Sequence, residues 1–162
     1  MAVDRSFVEM NRAARERMRA LAERLSDEEL RRPVGEHWTV AIVFCHLAFW
    51  ERRALQALDL SERDGAVNWP DLDIFVNDVS LPIWAAVPPR AATGIALETA
   101  EALDARLERC AEPLLEALYA LSPRLVDRAL HRNEHLDEAE GKEPSTDETD
   151  GADEEERMRD EG

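Results

Sequence analysis

Four of the 162 residues are histidines, and three of these sit where they can do chemistry. His46 is the only readily ionisable side chain between Thr39 and Trp50, the most apolar stretch of the chain. His131 and His135 stand four apart, so on a helix they share a face and can close on one ion. Zinc sites commonly take a histidine pair from one helix and further ligands from elsewhere. A buried His46 plus the His131/His135 pair is therefore a three-nitrogen site, with a fourth position open to water or substrate. That is the catalytic rather than the structural pattern. A plainer reading stands beside it, because a lone histidine among apolar residues is more often a hydrogen-bonded core residue than a ligand. The helical wheel also opposes the site. Leu125, Ala129, Leu136 and Ala139 fall in one sector, with His131 nearly opposite and His135 about 120° round.

The other candidate chemistry is weaker. His131-Arg132-Asn133-Glu134-His135 has the H-x-x-E-H form of an inverted zinc-protease motif, with Glu134 as the base. That motif needs a further distant ligand and a cleft, and few structured residues follow it here. Cys45 lies beside His46, but neighbours on a helix point about 100° apart, which predicts a buried inert thiol rather than a Cys–His pair. Cys110 falls in a leucine seam. Packing is the first explanation for Trp38, Trp50, Trp69 and Trp84, although the last two lie near an irregular connector that could roof a pocket.

Helices must position these residues, since strand signals are nearly absent. Phe7, Met10, Ala14, Met18, Leu21 and Leu25 repeat at helical spacing and predict a first helix. Ser26-Asp27-Glu28-Glu29 has capping-box form, starting a short turn that Pro33 and Gly35 end. Thr39 is a good N-cap for a second helix over 40–59, apolar almost all round in its first half. Residues 61–70 read as a loop and 71–87 as one or two short helical pieces, interrupted by Pro82. Ala96, Ala100, Leu103, Leu107, Cys110, Leu114, Leu118 and Leu121 predict a third helix over 92–121, kinked at Pro113. Ser122-Pro123 looks like the N-cap and first position of a last helix over 123–140. The expected fold class is all-α, an antiparallel four-helix bundle.

Charge and composition narrow the function. The net charge is −16, of which −10 falls in residues 137–162. Nucleic acid and anionic membrane are not expected partners, since phosphate binding needs clustered Lys and Arg. No apolar run approaches the roughly 20 residues that span a bilayer. Two cysteines do not suggest a disulfide framework. The first residues lack a signal-peptide pattern, so a cytoplasmic location is expected. Past Gly141 apolar residues nearly vanish, which predicts a bundle over 1–140 and a disordered acidic tail over 141–162.

Longer patterns add a resemblance. Leu25-Ser26-Asp27-Glu28-Glu29-Leu30 is followed by His37-Trp38-Thr39-Val40 and by His46-Leu47-Ala48-Phe49-Trp50-Glu51-Arg52-Arg53. Asp73 and Asn77 precede Leu81-Pro82-Ile83-Trp84, and His131 to Glu138 close the set. Over roughly residues 6–140 the chain resembles the DinB-like superfamily, most closely the N-terminal domain type of mycothiol-dependent maleylpyruvate isomerase. The resemblance implies a four-helix bundle holding a divalent metal, zinc first and nickel or iron as alternatives. Its ligands would be His46, His131 and His135, with Glu134 and Asp127 as candidates to orient them. It also implies a thiol-dependent transferase or isomerase acting on a small molecule, using mycothiol or another low-molecular-weight thiol; a homodimer is a separate expectation. Two departures stand out. Ala139 takes a place where some relatives carry a further histidine, and the second domain of maleylpyruvate isomerase has no counterpart here. The rival expectation is a metal-free helical scaffold or stress-related binding protein without catalytic activity.

Overall fold

An inward-facing residue at every third or fourth position makes the first helix, α1 (Ser6–Arg24), one-sided. Its buried face is Phe7, Asn11, Ala14, Met18, Leu21 and Ala22, so Asn11 takes the place expected of Met10, which is exposed. The structure, a computed structural model, describes residues 2–142. The capping box forms as expected. The Ser26 amide donates to Glu29 Oε2 at 2.7 Å and the Glu29 amide to Ser26 Oγ at 3.1 Å, opening a 3-10 turn, Glu29–Arg31. A two-residue hairpin follows, β1 (Pro33–Val34) against β2 (Trp38–Thr39), which no strand signal had indicated.

Helix α2 (Val40–Asp64) starts at Thr39, whose Oγ1 accepts from the Ile42 amide at 3.2 Å. It runs five residues past the expected end and takes in the first four residues of the expected loop. It stops at Gly65, whose φ of 68° is the left-handed conformation that lets a chain leave a helix. Helix α3 (Phe75–Ala85) is a single piece that carries Pro82 inside it. The expected third helix is two, α4 (Pro89–Glu108) and α5 (Glu112–Leu121). Pro113 has no amide and its ring crowds the carbonyl four residues back, so the chain breaks at Cys110–Ala111 and restarts with proline in the first turn.

The last helix, α6 (Ala129–Ala139), begins six residues later than expected, after a 3-10 turn at Pro123–Leu125. The late start has a physical cause in α1. Buried Asn11 donates from Nδ2 to the Val126 carbonyl at 3.0 Å and accepts the Ala129 amide at 2.9 Å. One side chain thus satisfies the break and caps the new helix. Gly141, at φ 71°, ends it. The expected tail lies almost wholly outside the described residues.

Among the described residues the molecule is mostly helical. Helix α2 packs against α4 and α6, and α1 packs against the same two. The apolar core has two parts. One joins Met18, Leu21 and Leu25 to Val40–Ala48, Ala92–Ala100 and Leu136; the other joins Phe7 to Ala54–Leu58, Leu103, Leu107 and Val126. These groupings fix directions. α2 runs with α4, and α1 runs with α6, so neighbouring helices are not all antiparallel as expected. The long connection through α3, residues 65–88, carries the chain back along the bundle before α4 begins.

Candidate metal centre

Helix α2 carries His46 into the middle of the fold, where it is completely buried. From α6, His131 and His135 come to meet it, both less than 6% exposed. His46 Nε2 lies 3.1 Å from His135 Nε2. The rings of His131 stand 5.4 Å from His46 and 4.7 Å from His135, centre to centre. One ring nitrogen from each residue lies within 4.8 Å of the others, a group that could hold a metal ion. The three histidines singled out in the sequence are therefore brought together. The fourth, His37, is exposed beside Glu36.

The helical wheel misjudged α6 for a specific reason. Its buried residues are Ala129, His131, Arg132, His135, Leu136 and Ala139, an arc that spreads from the leucine side to both histidines. Arg132 sits inside that arc with no exposed surface, and a charged residue does not announce itself as core. Leu125, used to centre the wheel, lies in the turn before α6.

Arg132 is buried because it is fully bonded. Its guanidinium reaches Glu51 Oε2 at 2.6 Å, both Asp104 oxygens at 2.8 and 3.1 Å, and the Asn11 carbonyl at 2.9 Å. Asp104 also takes Arg15 at 2.6 Å. Glu51, itself fully buried, accepts from Arg128 Nε at 3.3 Å. Burial pushes the Glu51 carboxyl upward, but Arg132, Arg128 and nearby His131 outweigh it and hold the group below its ordinary value. The same two carboxylates hold Arg132 above its ordinary value against burial. Arg128 Nη2 lies 3.4 Å from His131 Nδ1, so the ion network ends on one of the three imidazoles.

A carboxylate serves a second imidazole. His135 Nδ1 lies 3.1 Å from Glu138 Oε2. A proton on Nδ1 shared with this carboxylate leaves Nε2 as a lone pair facing His46, the arrangement metal-binding histidines use. The two residues expected to orient the ligands sit differently. Glu134 binds Arg124 at 2.9 Å. Asp127 is half-buried at the break before α6, with its carboxyl pushed up by burial.

Tryptophans enclose the trio. The Trp38 ring is 4.8 Å from His46 and stacks on His135 at 6.0 Å. Trp84 meets His46 edge-on at 5.8 Å, and Trp50 lies 6.2 Å away. Trp50 is aimed by its indole N–H, which donates to buried Asn77 at 3.0 Å. Trp38 and Trp50 are half-buried, so this aromatic rim rather than the imidazoles meets solvent. Trp69 packs elsewhere, with Arg53. Cys45 behaves as its position suggested: it is buried, burial pushes its thiol up to about 11, and its Sγ points to the Trp84 carbonyl.

The donor set suits a transition metal. Three neutral imidazoles with one position left over match a catalytic zinc centre. Two nitrogens about 2.05 Å from one tetrahedral ion stand about 3.3 Å apart, close to the His46–His135 spacing. Comparison with known families finds the DinB superfamily over residues 10–154. The chain belongs to the DinB superfamily. No curated protein and no solved structure matches it significantly. Membership in the DinB superfamily is consistent with the helical fold. Among the described residues no helix is long and apolar enough to cross a membrane.

Proposed function

We propose that this DinB protein binds one divalent metal, zinc first with nickel or iron as alternatives, through His46, His131 and His135. On this reading it is a thiol-dependent transferase or isomerase for a small molecule, of the maleylpyruvate isomerase N-terminal type, on a four-helix bundle. The observation that carries the reading is the buried imidazole trio with its nitrogens converging. When bound, such a metal lowers the pKa of a thiol or water and supplies a nucleophile at neutral pH. The chain's own residues do the rest. Glu138 orients His135, and Trp38, Trp50 and Trp84 exclude water, which strengthens every electrostatic contact inside. A cytoplasmic location, a mycothiol-type thiol and a homodimer belong to the same proposal.

The metal-free scaffold remains as a second reading because the 3.1 Å contact is also hydrogen-bond length. With Nδ1 of His135 protonated towards Glu138, His46 Nε2–H can donate to His135 Nε2. Chelator competition separates the readings. The metal reading expects His46→Ala, His131→Ala and His135→Ala each to weaken zinc binding, and the wild-type protein to accelerate thiol transfer to electrophilic substrates only when loaded. Unchanged zinc affinity in all three variants supports the scaffold.

A further inference from the structure

A second concavity lies at the end of the molecule where α2 and α4 begin. It holds about 460 Å³ and is bounded by Arg31, Thr39, Ile42, Trp84, Val87 and Pro88, among others. Such a volume is in the range of small-molecule sites, roughly 300–1,000 Å³. Its wall is apolar apart from Arg31 and Thr39. Asp and Glu supply 36 of the 162 residues, yet among the described residues none lines this cleft. Arg31 is exposed, and its hydrogen bond goes to the Asp27 carbonyl at 3.2 Å rather than to a carboxylate. Because α2 and α4 run the same way, their N-terminal ends meet here, and aligned peptide dipoles add partial positive charge. Arg31 thus places a cation at the rim of a hydrophobic floor.

We propose that this cleft binds a small organic anion, an aromatic or aliphatic body carrying one carboxylate. The body lies on Trp84, Ile42 and Val87, and the carboxylate pairs with the Arg31 guanidinium at the rim. Trp84 is shared: it floors the cleft while its ring meets His46 edge-on at 5.8 Å, and none of the three histidines lines the cleft.

The test uses 1-naphthoate and its neutral counterpart 1-naphthamide, titrated into the full chain by calorimetry. Naphthoate is expected to bind about tenfold more tightly than the amide, the margin of one charge-assisted contact. Arg31→Ala should erase that margin while Arg31→Lys keeps most of it. Ala86→Trp, which fills the cleft from an exposed position, should abolish binding with an unchanged circular dichroism spectrum. Phe75→Ser should leave binding unchanged, and so should addition of EDTA. Equal affinity for acid and amide, or indifference to Arg31→Ala, overturns the proposal. Loss of binding in EDTA would assign the carboxylate to a metal, and loss in Phe75→Ser to the exposed face of α3; either also overturns it.

Discussion

At the scale of single residues, the site depends on carboxylates that the sequence does not single out. The histidines are legible because they are rare and because His46 interrupts an apolar run. Glu138 is not, since one acid among many looks like surface, and only the contact to His135 Nδ1 gives it a role. Glu138→Ala is expected to weaken zinc binding about tenfold, as loss of an orienting partner usually does. Glu134→Ala, whose carboxylate holds Arg124, should change it far less. Competition with a chromophoric chelator measures both, and equal effects would remove Glu138 from the site. Glu51 and Arg132 are hidden for a related reason: charged side chains are read as surface unless their partners are known. Their pairing is costly to break from one side, so Arg132→Met should destabilise the fold by about 3–5 kcal/mol in urea unfolding.

At the scale of elements, the starts of helices follow local chemistry and their ends often do not. Thr39 and the Ser26/Glu29 box are caps that any sequence reading finds, because the bonds they make are within three residues. The late start of α6 depends on Asn11, more than 100 residues away, and no local pattern carries that information. The same residue replaced Met10 on the inner face of α1. Asn11→Ala leaves the Ala129 amide and Val126 carbonyl without their partner, so it should cost about 2 kcal/mol of stability. Thr39→Ala should cost about 1 kcal/mol. An Asn11→Ala effect no larger than that of Thr39→Ala would show that α6 begins where it does for another reason. The break at Cys110 shows the opposite error: Pro113 was legible, but its effect was a full restart rather than a kink.

At the scale of the whole molecule, the ion network ties four helices to the histidine trio. Arg132 on α6 reaches Glu51 on α2, Asp104 on α4 and the Asn11 carbonyl on α1, while Arg128 passes from Glu51 to His131. The expected all-antiparallel order failed here because the length of the α3 connection, not any helix pattern, decides which way α4 runs. Glu51 gives the network a pH dependence of definite sign. Its folded value lies below the ordinary 4.5, so its contribution is complete above that value and is lost as pH falls through the folded one. Thermal unfolding should therefore show a stability loss in acid that is smaller in Glu51→Gln, itself weaker at neutral pH. Metal binding should fail on acidification too, because protons compete for the same imidazole nitrogens. The central claim is that the buried trio holds a metal, and elemental mass spectrometry of untagged protein tests it most directly. The account predicts about one zinc, nickel or iron per chain, lost in His46→Ala. Absence of metal from the wild-type protein, with no uptake of micromolar zinc near neutral pH, would contradict it.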